Sequence, residues 1–105
     1  GITIANGTNP VSLTNTGLNN GGNTITNVAA GTNDTDAVNV SQLKGAVDAL
    51  GGGAAINTDG TVKAPIYNIT NPANGTVTAA NNVGDALSSL NNAVNSPLTF
   101  KGDSG

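Results

Sequence analysis

Apolar and polar positions along this chain change period four times. Ile2 and Ile4 alternate with polar neighbours, as do Val11 and Leu13, the two-residue period of a strand with one face covered. Asn6-Gly7 and Asn19-Asn20-Gly21-Gly22 punctuate that region as turns, because Asn and Gly tolerate positive φ. Thr24-Ile25-Thr26 predicts a further short strand by propensity. The period then lengthens. Val40, Leu43, Val47 and Leu50 recur at spacings of 3, 4 and 3, the seam of a heptad helix. Asn39 with Gln42 three residues on fits a capping-box-like start, with Thr35 or Asp36 as an earlier cap, and Gly51-Gly52-Gly53 ends the helix.

From 54 to 81 the pattern returns to β. Asp59-Gly60 signals a hairpin. Residues 61–70 read as one strand with Val62, Ala64 and Ile66 on a face, although Pro65 cannot donate to a ladder and requires an edge or a bulge. Asn74-Gly75 turns the chain before Thr76-Val77-Thr78. A second helix starts at Asn82, a good N-cap with Asp85 in the first turn. Its stripe is Val83, Leu87, Leu90 and Val94, at spacings of 4, 3 and 4. Asn95-Ser96-Pro97 stops it. Leu98-Thr99-Phe100 opens another strand, and Gly102-Asp103-Ser104-Gly105 reads as a turn. The expected order is β–α–β–α–β.

Helices of roughly 12–15 residues are marginal in isolation. Each carries a narrow a/d stripe, the coiled-coil pattern, where a helix packed on its own globule shows a wider face. The alternative is two amphipathic helices on one sheet within a single chain, but the intervening strands hold too few large apolar residues to cover both stripes. The number of strands in the coil stays open on heptads alone: Val40 and Val47 at a with Leu43 and Leu50 at d lean towards two, and the second helix leans elsewhere.

Composition sharpens the need for partners. Among 105 residues the only aromatics are Tyr67 and Phe100, and the apolar residues are mostly Ala and Val. Small side chains bury little area at about 25 cal/mol per Å², whereas ordering the backbone costs roughly 1–2 kcal/mol per residue. Disorder would relieve that deficit, but charge is scarce and Val, Ile and Thr are plentiful, so a core shared between chains is the expectation. Three separated lysines and a net charge of −3 argue against nucleic acid or an anionic membrane as partner. No apolar run approaches a membrane span, no signal peptide opens the chain, and both ends read as continuing segments of something longer.

Candidate chemistry is thin. With no His to act as base, serine or threonine nucleophiles are not expected, and no cysteine supplies a thiolate. Asp34-Thr35-Asp36 with Asn39 lacks the Gly and distal Glu of a calcium loop, and turn formation or capping explains it better. Gly51-Gly52-Gly53 follows a helix and has no Walker lysine, so it is a flexible or close-packed exit, with no phosphate cradle. Lys63 reads as a solvated strand residue or an interchain partner for an aspartate. Five Asn-x-Ser/Thr sequons, at Asn6, Asn33, Asn39, Asn68 and Asn74, are expected by chance in a chain so rich in these residues. No catalytic residue, cofactor or metal is expected.

The stretch Asp36-Ala37-Val38-Asn39-Val40-Ser41-Gln42-Leu43, preceded by the Asn- and Gly-rich residues 17–32, resembles the neck of trimeric autotransporter adhesins. Lys63-Ala64-Pro65-Ile66-Tyr67-Asn68-Ile69, Asn82-Val83-Gly84-Asp85-Ala86-Leu87 and Pro97-Leu98-Thr99-Phe100-Lys101-Gly102-Asp103 look like the β-inserts that interrupt stalks of that family, although Ser88 stands where a second Leu often follows. The resemblance implies a mixed α+β fibrous homotrimer, with interleaved β-segments alternating with short parallel three-stranded coiled coils. Val40, Leu43, Val47, Leu50, Val83, Leu87, Leu90 and Val94 would then line the trimer core, and Asp36, Ala37, Val38, Asn39 and Gln42 would form the neck. The implied segments are a β-rich, head-proximal 1–35, a neck and coil over 36–53, a β-insert over 54–81, a second coil over 82–96 and the start of another β-module at 97–105. Asn91, Asn92 and Asn95 fall outside the seam, so no core anion site is expected.

The function so implied is structural: a segment of a bacterial surface fibre, anchored in the outer membrane by a C-terminal barrel elsewhere in the protein, projecting adhesive regions towards host matrix, host cells or other bacteria. Two alternatives stand beside it. The β-insert would itself bind a host ligand, which an exposed aromatic cluster would support, or the chain would belong to a phage-type trimeric fibre.

Overall fold

A computed structural model of the chain describes residues 7–96 and divides into two compact units, one up to Asn39 and one from Val40 onward. The expected strands at Ile2–Ile4 and Leu98–Phe100, and the closing turn, lie outside the described residues.

The first unit holds a short antiparallel hairpin, β1 (Ser12–Thr14) and β2 (Gly17–Asn19), in the register Ser12↔Asn19, Leu13↔Leu18, Thr14↔Gly17. Side-chain amides hold the turn after β2. Asn19 Oδ1 accepts from Gly21 N at 2.9 Å, Asn20 Nδ2 donates to Asn23 O at 2.6 Å, and Asn23 Nδ2 bridges Asn20 O at 2.8 Å and Asn9 O at 3.1 Å. A Cβ at Gly21 would lie 2.5 Å from Pro10 O, so only glycine lets the turn close on residues 9–10. The strand expected at Thr24-Ile25-Thr26 does not form: the segment has no ladder partner, Ile25 is exposed, and Asn27 adopts φ 60° immediately after it. Propensity makes no strand without a neighbour to pair with.

The second unit begins with α1 (Val40–Asp48). Its nine residues fall short of the predicted length. After Asp48 the ladder tightens to i→i+3 bonds, with Leu50 N to Val47 O and Gly51 N to Asp48 O, both 3.1 Å. Gly51, Gly52 and Gly53 then take φ of 65°, 59° and 79°, a left-handed run that favours glycine. The exit is close-packed: Ile66 N donates to Gly52 O at 2.8 Å, and a Cβ on Gly52 would lie 2.9 Å from Ile66 O.

The hairpin β3 (Ala55–Ile56) and β4 (Val62–Lys63) turns at Asp59-Gly60 as expected. Asp59 Oδ1 accepts from Thr61 N at 2.9 Å and from Thr61 Oγ1 at 2.6 Å. The single strand expected over 61–70 is broken in two. Pro65, which lacks an N–H, is buried between β4 and the next strand, β5 (Tyr67–Thr70). β5 pairs antiparallel with β6 (Val77–Ala80) across the Asn71–Thr76 turn, with Tyr67 opposite Ala80 and Thr70 opposite Val77.

Asn82 starts α2 (Val83–Asn95) with extended φ/ψ of −151°/163°. Its Oδ1 accepts from Asp85 N at 2.7 Å, capping the helix, while its Nδ2 donates to Asp85 Oδ2 at 2.9 Å and holds the capping side chain in place. α2 lies on the β5–β6 hairpin. The apolar core is small: among the described residues Val47, Ala80 and Ala93 are buried beside Pro65, and no large side chain is fully enclosed.

Candidate assembly surface

α2 presents two faces, set by the 100° rotation per residue of an α-helix. Ala86, Ser89 and Ala93, the small residues, turn towards the hairpin. Ala93 is buried, Ala86 and Ser89 are half-buried, and they approach β5 and β6 closely because they carry so little side chain. Val83, Leu87, Leu90 and Val94 form a second stripe about 100° away around the helix. That stripe touches little of its own chain: Leu87 is 61% exposed and Val94 63%. All four members of the second helix's expected core are therefore left exposed by the single chain, Val83 at 46% and Leu90 at 48% less so than the other two.

α1 divides differently. Val40 is 68% exposed, Leu43 and Leu50 about two-fifths. Val47 is buried by its own chain at 4%. The heptad spacing puts it in the seam with the other three; here α1 packs against β3 and Val47 is already covered. Leu50 lies past the end of the helix, and its carbonyl accepts the Tyr67 hydroxyl. The surface that asks for a cover is thus Val40, Leu43 and Leu50 at α1, and Val83, Leu87, Leu90 and Val94 on α2.

The neck residues of the first unit are held mainly by polar contacts. The Asp36 carboxylate accepts from Thr32 N at 3.1 Å and Asn33 N at 3.0 Å, while Asp36 N donates to Asn33 O at 2.9 Å. Those donors, Asn33 first, hold its pKa below the usual 3.8. The carboxylate weighed above as a calcium ligand is occupied in closing a loop. Gly31 permits this loop, since a Cβ there would lie 2.5 Å from Ala37 O. Asn39, half-buried, donates from Nδ2 to Val28 O at 2.9 Å, and Val38 stands 69% exposed. Ala37 is exposed and Gln42, in α1, is half-buried.

Sequence reasoning missed the small-residue face of α2. Its signal was present as Ala86 and Ala93 seven apart with Ser89 between them, overshadowed by the larger aliphatics. It also missed the close approaches at Gly21, Gly31 and Gly52, which a one-dimensional pattern does not carry. Lys63 is exposed on β4, and Lys44 forms an exposed i,i+4 pair with Asp48 at 2.8 Å, a contact worth roughly 0.3–0.5 kcal/mol at most. Among the described residues no group of three metal-ligating side chains occurs, and no helix is long and apolar enough to cross a membrane.

Mixed short helices and hairpins, a minimal core and exposed heptad stripes define this segment. Residues 24–66 match the family described as the coiled stalk of trimeric autotransporter adhesin. The chain is 48% identical over 86 residues to the trimeric autotransporter adhesin AtaA of Acinetobacter sp. (strain Tol 5), covering 71% of this chain and 2% of that protein. It is 43% identical over 96 residues to the autotransporter adhesin EhaG of Escherichia coli O157:H7, covering 85% of this chain and 6% of the relative. The solved C-terminal YadA-like domain of a Burkholderia pseudomallei protein superposes with a TM-score of 0.61 at 49% identity, over 65% of this chain and 33% of that one. The chain belongs to the trimeric autotransporter adhesins and is a stalk-type segment of such a fibre. It spans only a few per cent of the length of the two full adhesins it matches.

Proposed function

We propose that three identical chains run parallel and in register, closing the exposed stripes of α1 and α2 around a common axis, and that the segment serves as a mechanical spacer in a surface fibre. The observation that carries this reading is the double face of α2: the small residues are already used inside the chain, and Val83, Leu87, Leu90 and Val94 are left outward with heptad spacing. Leaving four such side chains in water is unfavourable by roughly 1 kcal/mol or more each, and copies of the same stripe supply a matching cover. Parallel order follows from the chemistry of the ends. An antiparallel neighbour would set one chain's hairpins beside another's glycine exit and leave strand edges unpaired.

In this reading residues 36–53 form a neck and short coil, 54–81 a β-insert and 82–96 a second coil. The short coils supply stiffness, and the hairpins supply width. The full protein would be carried on the bacterial surface by a C-terminal outer-membrane barrel, and the fibre would hold adhesive regions against host matrix, host cells or sister bacteria. Direct ligand binding by the β-insert draws no support from its aromatics: Tyr67 is half-buried and its hydroxyl is bonded to Leu50 O.

A cysteine at Leu43 tests chain direction. In a parallel, in-register trimer, mild oxidation of the Leu43→Cys protein yields one disulfide-linked pair and one free thiol per trimer. If the protein stays trimeric but the introduced thiol couples only to a second cysteine placed at Leu50, the chains run antiparallel and the proposal fails.

A further inference from the structure

The end of α1 and the start of β5 are fastened to each other across an excursion of the chain. Gly52 O accepts from Ile66 N at 2.8 Å, and Leu50 O accepts the Tyr67 hydroxyl. Gly52 lies so close to this segment that a Cβ on it would meet Pro65 Cβ at 3.0 Å as well as Ile66 O at 2.9 Å. Asn81 Nδ2 donates to Pro65 O at 3.2 Å, one residue before the Asn82 cap of α2. Pro65 is buried, and so is Ala80, which stands opposite Tyr67 in the β5–β6 ladder. These residues form a node that links the exit of α1 to the entry of α2 through 65–67. Residues 53–64 leave the node and return to it. Their hairpin is lightly held: β3 and β4 are two residues each, Val62 is 49% exposed, and Thr61 and Lys63 are exposed. β5 and β6 are four residues each and carry α2.

From this arrangement we propose that the β3–β4 hairpin is a store of hidden length in the stalk. Tension between α1 and α2 crosses the node and leaves the hairpin slack. Once the Gly52–Ile66 and Leu50–Tyr67 bonds part, the hairpin is drawn out while α2 stays docked on β5–β6. Opening of this kind is local, because the elements with the least buried contact yield first. The proposal rests on the spacer reading above and adds a yield step to it. From Gly52 to Ile66 the chain makes fourteen steps, which extend to at most about 46–50 Å at about 3.3–3.6 Å each, so each chain lengthens by roughly 40–45 Å. Return is rapid because the turn closes on itself. Asn57 N donates to Thr61 O at 2.8 Å, Asn57 Nδ2 donates to Thr61 Oγ1 at 3.0 Å, and Asp59 accepts from Thr61 twice. A hairpin re-forms in about 1–10 μs.

The test holds the assembled 105-residue protein by peptide tags at its two ends and stretches it in an optical trap. The expected record shows an extension of roughly 40–45 Å per chain below the force that unfolds the helices, reversed on relaxation. A disulfide across the Ala55↔Lys63 pair, in Ala55→Cys/Lys63→Cys, should cut that extension roughly in half, since it keeps 56–62 out of the stretched length. Reducing the disulfide should restore it. Tyr67→Phe should keep the length and speed opening roughly fivefold, the effect of one lost hydrogen bond. The proposal is overturned if no step precedes unfolding of the helices, if the step ignores the crosslink, or if Tyr67→Phe opens at the unaltered rate. Should Tyr67→Phe fail to assemble, the crosslink decides. Sedimentation equilibrium on the same sample separates this proposal from the assembly it rests on. A trimer without the step sinks the hidden length alone, and a stepping protein that is not trimeric sinks the trimer alone.

Discussion

Replacing Leu87 by Asp probes the outward stripe where it is most exposed to failure. In the single chain this side chain is 61% exposed. Complete burial of a leucine is worth about 1.5–3 kcal/mol, so covering the remaining three-fifths contributes about 1–2 kcal/mol per chain. A layer of three copies therefore holds about 3–6 kcal/mol of association energy, a factor of roughly a hundred to ten thousand in the trimer constant at 1.4 kcal/mol per decade. Leu87→Asp removes that term and also places three carboxylates in one apolar layer, where unpaired charge is costly. Sedimentation equilibrium should show loss of the trimer, and far-UV circular dichroism should show loss of α2, since a helix of this length does not stand alone. The matched control is Ser88→Asp. Ser88 is the next residue, exposed, and on neither face of α2, so the same charge there should change stability by no more than about 0.5 kcal/mol. Intact mass and helicity in Leu87→Asp would refute the seam, and so would dissociation of Ser88→Asp to the same extent.

Gly52→Ala should lower the melting temperature more than Gly51→Ala. Both need positive φ, at about 1–2 kcal/mol for an L-residue, but only the Gly52 methyl would meet backbone, at 2.9 Å from Ile66 O, whereas Gly51 faces open space; equal losses would remove the close-approach argument. Asp36→Asn should destabilise the chain at neutral pH but not in strong acid. The folded-state pKa of Asp36 is lowered by backbone donors from Asn33 and Thr32, so the carboxylate's contribution is full above the ordinary value of 3.8 and is lost as pH falls below it. Thermal melts of the two proteins across the acid range should therefore converge, and a constant gap between them would show that Asp36 acts through something other than its charge.

What could be read from the sequence depended on whether the cause was local. The start of α2 at Asn82 was legible because capping is decided within four residues, and the hairpins at Asp59-Gly60 and Asn74-Gly75 were legible because turn chemistry is local too. The expected strand at Thr24-Ile25-Thr26 failed for the opposite reason, since a strand is defined by a partner that propensity cannot see. Pro65 divided the expected strand 61–70 as its missing donor foretold, yet the burial of that proline against the glycine exit of α1 came only with three dimensions. The apolar period marked the residues that recur at heptad spacing but not which of them the chain itself covers. Val47 shares the spacing of Val40 and Leu43 and still faces into its own unit, because β3 lies on that side of α1.

The two faces of α2 also constrain each other. Ala86, Ser89 and Ala93 set the face that the helix turns to its hairpin, with Ala93 buried there. The stripe of Val83, Leu87, Leu90 and Val94 is therefore held at one angle to the hairpin, about a quarter turn around the helix. Around a shared axis, that angle sets every hairpin to the side of its own helix and none of them at the centre. The helix cannot turn to improve one contact without opening the other. In the proposed trimer such a segment would need no large core of its own: the small side chains join β-hairpin to helix within each chain, the large ones would join helix to helix between chains, and a load applied along the coil would reach the hairpin through Ala86 and Ala93.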